Sequence, residues 1–262
     1  MTGYNVKIAL INDSTVLSDD DIRKVIPSFN TQLGRDFGPA WGVEAHIRFI
    51  GKNQKIPRGY WWVVILDDAD GAGYLGYHDI TEEGMPLGKV FAKTDLDYGY
   101  NWTITATHEI LEMLADPDIN LVAFVEEGEF AGKLFAYEVC DPCEADEFGY
   151  DINGVKVSDF VTPAYFEYFR KDTQGFDYLN KITKPFELLP GGYISVYDIN
   201  SKDGWQMLSA SNPDKRTLVR MRAPVGSRRE RRRTPKSQWV ESEPMMEMRT
   251  EENTEEPEPS NE

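Results

Sequence analysis

The alternation of apolar and polar positions divides the first half of the chain into short strands and two long helices. Apolar residues recur at helical spacing over residues 19–37 and again over 102–115. Compact or alternating apolar runs, which are typical of β-strands, lie at residues 6–11, 43–50, 61–66 and 89–94. The predicted order of elements is therefore β-α-β-β-β-α.

The pattern becomes irregular after residue 117. Short β-like pieces occur near residues 135–139 and 155–161, and a last one follows the glycine pair at 191–192. We expect an α+β fold in a single domain over residues 1–227, whose second half is rich in loops and strands. Residues 228–262 contain R-R-E-R-R-R-T-P-K and a Glu/Pro-rich end, which predicts a disordered charged tail.

Composition restricts the partners of this chain. Its 262 residues are 40% hydrophobic and 12% aromatic, which suits a globular protein, and the formal net charge is -17. An acidic body repels nucleic acid and anionic membranes, so neither is an expected partner. The absence of a long apolar segment or a basic, apolar signal peptide predicts a soluble cytoplasmic protein, with the virion as the alternative location. Composition leaves the oligomeric state open.

The stretch T-H-E-I-L-E-M-L-A-D-P, at residues 107–117, carries the main candidate chemistry. On a helix, His108 and Glu112 are four residues apart and can both reach one ion. Glu109 points about 100° away, where it can contact a water molecule on that ion. Imidazole and carboxylate are both zinc ligands, so the spacing predicts a zinc site with Glu109 as general base. An ordinary amphipathic helix is the competing interpretation.

The motif resembles the H-E-x-x-H helix of the zincin metallopeptidases, with Glu112 in place of the second histidine. The order β-α-β-β-β before the helix resembles the N-terminal half of that family. The resemblance implies a zinc-dependent hydrolase that cleaves peptide bonds of a peptide or protein substrate. It also implies that Glu138, in A-Y-E-V-C-D-P, is the third ligand and that Asp141 orients a ligand histidine. The edge strand that binds substrate by strand addition would be G-K-V-F-A-K-T, residues 88–94.

The third ligand has two competitors. Asp118 lies ten residues after His108, which is the metzincin spacing, and Asp116 is close to it. Glu138 is the preferred candidate because Pro117 ends the helix and leaves the direction of Asp118 undetermined.

Other reactive side chains have more ordinary explanations. His78, in G-Y-H-D, could be a fourth ligand or an oxyanion donor, but a loop histidine bonded to Asp79 is favoured. Tyr165 could supply an oxyanion hydroxyl, although core packing is favoured. Cys140 and Cys143 form one C-x-x-C surrounded by acidic residues, which disfavours thiolate and predicts structural thiols in a reducing compartment.

Several blocks between residues 71 and 193 also resemble uncharacterised bacterial and phage proteins. They include G-Y-H-D, E-V-C-D-P and S-D-F-V-T-P-A-Y-F. No activity follows from that second resemblance. The alternative to a peptidase is therefore a non-catalytic binding or virion-associated structural protein that retains a zincin-like fold.

Overall fold

The computed structural model describes residues 5–51, 54–70, 75–81, 83–212 and 215–220 and shows a mixed α+β fold. The strands are β1 (Asn5–Asn12), β2 (Glu44–Ile50), β3 (Tyr60–Leu66), β4 (Gly76–Ile80), β5 (Pro86–Phe91), β6 (Val122–Val125), β7 (Lys133–Ala136), β8 (Tyr150–Ile152), β9 (Val155–Val157), β10 (Tyr193–Asp198), β11 (Trp205–Asn212) and β12 (Lys215–Arg220). The α-helices are α1 (Asp19–Thr31), α2 (Gly38–Trp41), α3 (Ala92–Tyr98) and α4 (Trp102–Ala115). The predicted tail at 228–262 and the end of the predicted domain, 221–227, lie outside the described residues.

The first sheet has the strand order β2-β1-β3-β5-β4. Strand β1 pairs in parallel with β2 and β3, and β3 pairs in parallel with β5. Strand β4 pairs antiparallel with β5 and lies at the edge. The prediction that residues 88–94 form the edge strand is therefore wrong, because β5 lies between β3 and β4. The pattern did not reveal β4, since it follows a glycine-rich segment without a clear alternation.

Helix α1 begins where the sequence predicts. Ser18 and Asp21 form a capping box, in which each side chain accepts the other residue's backbone N–H. The helix continues through Pro27 and passes into a π-helical segment, Gln32–Phe37, so that together they cover the predicted helix at 19–37. Ile22 and Phe29 are fully buried in the core of the first sheet.

Helix α4 matches the predicted range 102–115 to the residue. At its start, the backbone N–H and side-chain amide of Asn101 donate to the carboxylate of Asp146. The helix contacts β4 and β5 on one side and β9 on another. Most of its residues are therefore buried, including polar ones, which is unusual for a helix at a protein surface.

The second half of the chain forms another sheet rather than an irregular region. Its order is β12-β11-β10-β7-β6, and each neighbouring pair is antiparallel. Phe135 of β7 stacks on Phe186 with ring centroids 4.2 Å apart, and Tyr165 packs beside Phe186. Tyr165 is fully buried, which confirms that it packs in the core. Within the described ranges, no helix has the length and apolar character needed to cross a membrane.

Candidate metal centre

Three separate elements, one of them α4 itself, bring acidic and imidazole side chains together. The helix supplies His108, Glu109 and Glu112 from consecutive turns of one segment. The edge strand β4 supplies His78, because β4 packs against α4. The loop that follows β7 supplies two carboxylates, those of Glu138 and Asp141, both only 3% exposed.

One set of three possible metal ligands, called the inner group, consists of His78, Glu112 and Glu138. Nδ1 of His78 lies 3.4 Å from Oε2 of Glu112, and Nε2 of His78 lies 3.6 Å from Oε2 of Glu138. Each residue offers one ligand atom within 4.8 Å of the others. None of the three is more than 3% exposed. The inner group is therefore enclosed by protein.

A second set, the outer group, consists of His108, Glu112 and Asp141. Nε2 of His108 lies 3.3 Å from Oε1 of Glu112 and 3.1 Å from Oδ1 of Asp141. The side chain of His108 is 12% exposed, so this group is closer to solvent than the inner one. The neighbouring residues Glu144 and Tyr193 are also partly exposed, and the hydroxyl of Tyr193 acts to lower the pKa of Asp141.

The structure therefore divides the predicted ligands His108, Glu112 and Glu138 between two groups that share Glu112. Glu138 is close to His78 and Glu112, whereas Asp141 joins His108 and Glu112. The expectation that His78 is a loop histidine is wrong, because His78 lies in β4 and is 1% exposed. Its position beside α4 depends on the pairing of β4 with β5, which no local sequence pattern shows.

The two competitors for the third ligand are placed differently. The carboxylate of Asp116 accepts the backbone N–H groups of Asn120 and Leu121, at 3.0 and 2.9 Å, and so stabilises the turn after α4. Asp118 is exposed. Neither aspartate belongs to the two groups of possible ligands found among the described residues.

Glu109 lies beside the inner group. It is 5% exposed, and its Oε2 is 3.5 Å from Nδ1 of His78. This oxygen is buried and accepts no hydrogen bond from the described residues. Gly76 of β4 makes room for the side chain, because a Cβ there would be 2.8 Å from Oε1 of Glu109.

Burial and nearby charges shift the pKa values of the carboxylates in and beside the outer group. Burial, and next the charge of Glu112, raise the pKa of Asp141 to about 7. Burial and the charge of Asp141 raise the pKa of Glu144 to about 8. Burial alone would raise the pKa of Glu112, but the charge and hydrogen bonding of His108 hold it well below its usual range. The centre thus concentrates more negative charge than its two imidazoles can balance.

The cysteines lie next to the centre without joining it. Cys140 and Cys143 are free thiols that are at most 1% exposed. Burial raises the pKa of both thiols well above the usual value, which disfavours the thiolate. The backbone N–H of Cys140 donates to Oε1 of Glu112 at 3.2 Å, so this segment holds the shared carboxylate in place.

The spacing of the ligand atoms fits a divalent metal. Two ligands bonded tetrahedrally to one ion at about 2.0–2.2 Å are about 3.3–3.6 Å apart. In the outer group, the same nitrogen of His108, Nε2, lies 3.3 Å from Glu112 and 3.1 Å from Asp141. In the inner group, His78 faces Glu112 and Glu138 through different nitrogens and can offer only one of them to an ion. A direct charge-assisted hydrogen bond is typically about 2.7–2.9 Å long. The separations in the outer group are therefore closer to those of ligands around an ion than to those of paired charges.

Comparison with other proteins identifies no relative of this chain. No protein-family model, curated protein or solved structure matches this chain. What can be inferred about its function therefore depends on its own sequence and geometry.

Sequence inspection missed the contributions of Glu144 and Tyr193. Tyr193 begins β10 after a glycine pair, and nothing in that local pattern indicates a contact with Asp141. Only the packing of β10 against the C-D-P-C turn reveals it.

Proposed function

We propose that this chain is a zinc-dependent peptidase of zincin type. The observation that carries the proposal is the arrangement on α4, where His108, Glu109 and Glu112 all lie at one buried centre. The loop after β7 then provides further carboxylates at the same place, as the resemblance to zincins requires. His108 and Glu112 would hold the ion, with Glu138 or Asp141 as the third ligand.

The strand order supports this assignment. The zincin resemblance implies an edge strand beside the metal-binding helix, along which a substrate chain is added. In the first sheet that position belongs to β4, which is antiparallel to its neighbour and contacts α4. A substrate peptide would extend this sheet next to the centre.

The protein groups would divide the reaction between them. A bound zinc ion supplies a Lewis acid that polarises the peptide carbonyl and acidifies water. Glu109 would accept the proton of the attacking water and donate it to the leaving amine nitrogen. Its buried Oε2, which accepts no hydrogen bond from the described residues, is suited to receive that proton. Substrate would approach from the side of His108, Glu144 and Tyr193, where the centre is partly exposed.

The enclosure of the inner group favours a second candidate function. A structural metal site is closed by its protein ligands, whereas a catalytic site keeps one position open. His78, Glu112 and Glu138 are almost completely buried. A non-catalytic binding or virion-associated protein with a structural ion would have such a site.

Metal analysis combined with a peptide-cleavage assay tests the proposal. The purified full chain should contain zinc and cleave a mixed peptide library, and a chelator should abolish cleavage until zinc is restored. His108→Ala should lose activity, whereas His46→Ala, which changes an exposed histidine of β2, should not. Bound metal without any cleavage would favour the structural protein. Cleavage that survives complete metal removal would overturn the peptidase mechanism.

A further inference from the structure

The carboxylate of Glu112 lies between two histidines. Its Oε2 is 3.4 Å from Nδ1 of His78, and its Oε1 is 3.3 Å from Nε2 of His108. Each oxygen therefore belongs to a different ligand group. One carboxylate has enough lone pairs to bind through both oxygens at once.

The two groups have matching chemistry on either side of this carboxylate. Each contains one imidazole and one further carboxylate besides Glu112, namely Glu138 in the inner group and Asp141 in the outer group. Two-metal sites in hydrolytic enzymes hold their ions about 3.5–4 Å apart, a separation that a shared carboxylate can span. We propose that this centre binds two divalent cations bridged by Glu112, with His78 and Glu138 on one ion and His108 and Asp141 on the other.

Glu109 gives independent support for the inner ion. Its Oε2 is buried, accepts no hydrogen bond from the described residues, and lies 3.5 Å from Nδ1 of His78. A buried carboxylate oxygen without a hydrogen-bond donor is costly unless a cation is nearby. An ion in the inner group would supply that cation.

The charge of the centre also favours two bound ions. The centre contains the carboxylates of Glu109, Glu112, Glu138 and Asp141, which are all at most 5% exposed. When these four groups are ionised, one divalent cation leaves two negative charges, and protonation of the histidine in the other group can balance only one of them, whereas two divalent cations balance all four. Uncompensated buried charge is strongly unfavourable.

The ligand chemistry also limits which metals would bind. Neither group includes a cysteine sulfur, although Cys140 lies between Glu138 and Asp141 in the sequence. Mixed imidazole and carboxylate ligands suit Zn²⁺, Mn²⁺ or Fe²⁺ and do not select soft ions such as Cu⁺. The two-ion site thus extends the proposed function, which requires only one zinc ion.

Counting the bound ions tests this inference. The metal-free full chain is titrated with Zn²⁺ and with Mn²⁺, and the bound metal is measured by elemental analysis and native mass spectrometry. We expect two ions per chain. His78→Asn and His108→Asn should each retain one, and His46→Asn, which alters the remaining histidine, should retain two. A value of one for the parent chain would overturn the two-ion site and leave the single-zinc peptidase intact, whereas a value of zero would overturn both.

Electron paramagnetic resonance of the Mn²⁺-loaded protein gives a readout that does not depend on activity. Two bridged Mn²⁺ ions should give an exchange-coupled spectrum in the parent chain. The single-histidine variants should show the six-line spectrum of an isolated ion. An uncoupled spectrum in a parent chain that binds two ions would show that Glu112 does not bridge them. Because the parent chain alone decides this point, the test stands even if a variant fails to fold.

Discussion

Nε2 of His108 lies 3.1 Å from Oδ1 of Asp141, so helix α4 and the loop after β7 meet at one pair of possible ligand atoms. The zincin resemblance gives Asp141 the role of orienting a ligand histidine. The structure adds that Asp141 can itself be a ligand, since it belongs to a group with His108 and Glu112. The contact makes the loop after β7 a direct part of the candidate centre.

Replacing Glu109 with glutamine should separate catalysis from metal binding. Glu109→Gln keeps the size of the side chain but removes the base, so kcat/KM for peptide cleavage should fall at least about a hundredfold. The ion that His108 and Glu112 hold should remain, as measured by elemental analysis. Glu126→Gln, which changes an exposed glutamate, should leave both quantities unchanged. Loss of all bound metal in Glu109→Gln would show that Glu109 is an essential ligand rather than the base.

Two substitutions of Glu112 should have opposite effects on the zinc site. Glu112→His rebuilds the H-E-x-x-H pattern, and a neutral imidazole can bind one ion but cannot bridge two, so one zinc ion should remain. Glu112→Leu should abolish high-affinity binding while preserving the helix, because leucine is a good helix former. Equilibrium dialysis measures the bound zinc, and circular dichroism checks the fold. If both variants bound metal as the parent does, Glu112 would not be a ligand.

Tyr193 should affect metal affinity through Asp141. The Tyr193→Phe substitution removes the hydroxyl that favours the ionised form of Asp141, and loss of such a supporting group typically weakens metal binding about 10- to 100-fold. Competition with a chelator measures the change. Tyr197→Phe alters another tyrosine of the same strand, β10, and should have no such effect. Equal affinities in the two variants would exclude a positioning role for Tyr193.

A buried acid pair should make the protein less stable in mild alkali. Burial and the adjacent Asp177 raise the pKa of Asp159 to about 9 from its usual 3.8. Between these values the folded chain keeps a proton that the unfolded chain has released, so stability falls as pH rises. The free energy of unfolding should therefore decrease from pH 6 to pH 9, by at most about 1.4 kcal/mol per pH unit from this group.

Asp159→Asn should flatten that dependence, because an amide does not titrate and can still donate to Asp177. Denaturant unfolding at several pH values measures the slope for the parent and the variant, which share the same metal centre. Asp118→Asn, at an exposed position, is the control. An unchanged slope in Asp159→Asn would show that Asp159 is ionised in the folded protein.

Deletion of residues 234–262 should leave the melting temperature nearly unchanged. This prediction rests on sequence, because the segment lies outside the described residues. A Glu/Pro-rich stretch has too little apolar surface to offset the entropy lost on ordering. Differential scanning calorimetry of the full and shortened chains tests it. A drop of many degrees would mean that the segment packs on the domain.

The sequence predicted local elements better than contacts between them. Helix α4 could be predicted to the residue because its apolar positions, the following Pro117 and the turn at Asp116 are all local signals. Strand β4 could not, because its five residues, G-Y-H-D-I, follow a glycine-rich stretch. The position of His78 beside α4 was missed for the same reason, because a residue on an undetected strand cannot be placed next to a helix.

In the second half of the chain, too, local elements were easier to predict than the contacts between them. Strand β7 overlaps the β-like piece predicted near residues 135–139, whereas β6, with four residues, is too short for a periodic pattern to be distinguished from a loop. Their sheet is defined by antiparallel pairing with β10, about 60 residues further along the chain. Glu138 and Asp141 were found from sequence because they follow the helix at a spacing similar to that of a known family. Tyr193 was not found, because its contact with Asp141 depends on that distant pairing.

The candidate ligands come from β4, α4 and the loop after β7, and this spread along the chain has a consequence for synthesis on the ribosome. Glu138 follows His78 by 60 residues, so the first sheet and α4 are translated well before the loop that covers their acidic side. Until that loop emerges, Glu109 and Glu112 must stay hydrated, because buried carboxylates require partners. Burial of this acidic centre therefore has to wait until the loop after β7 has been made.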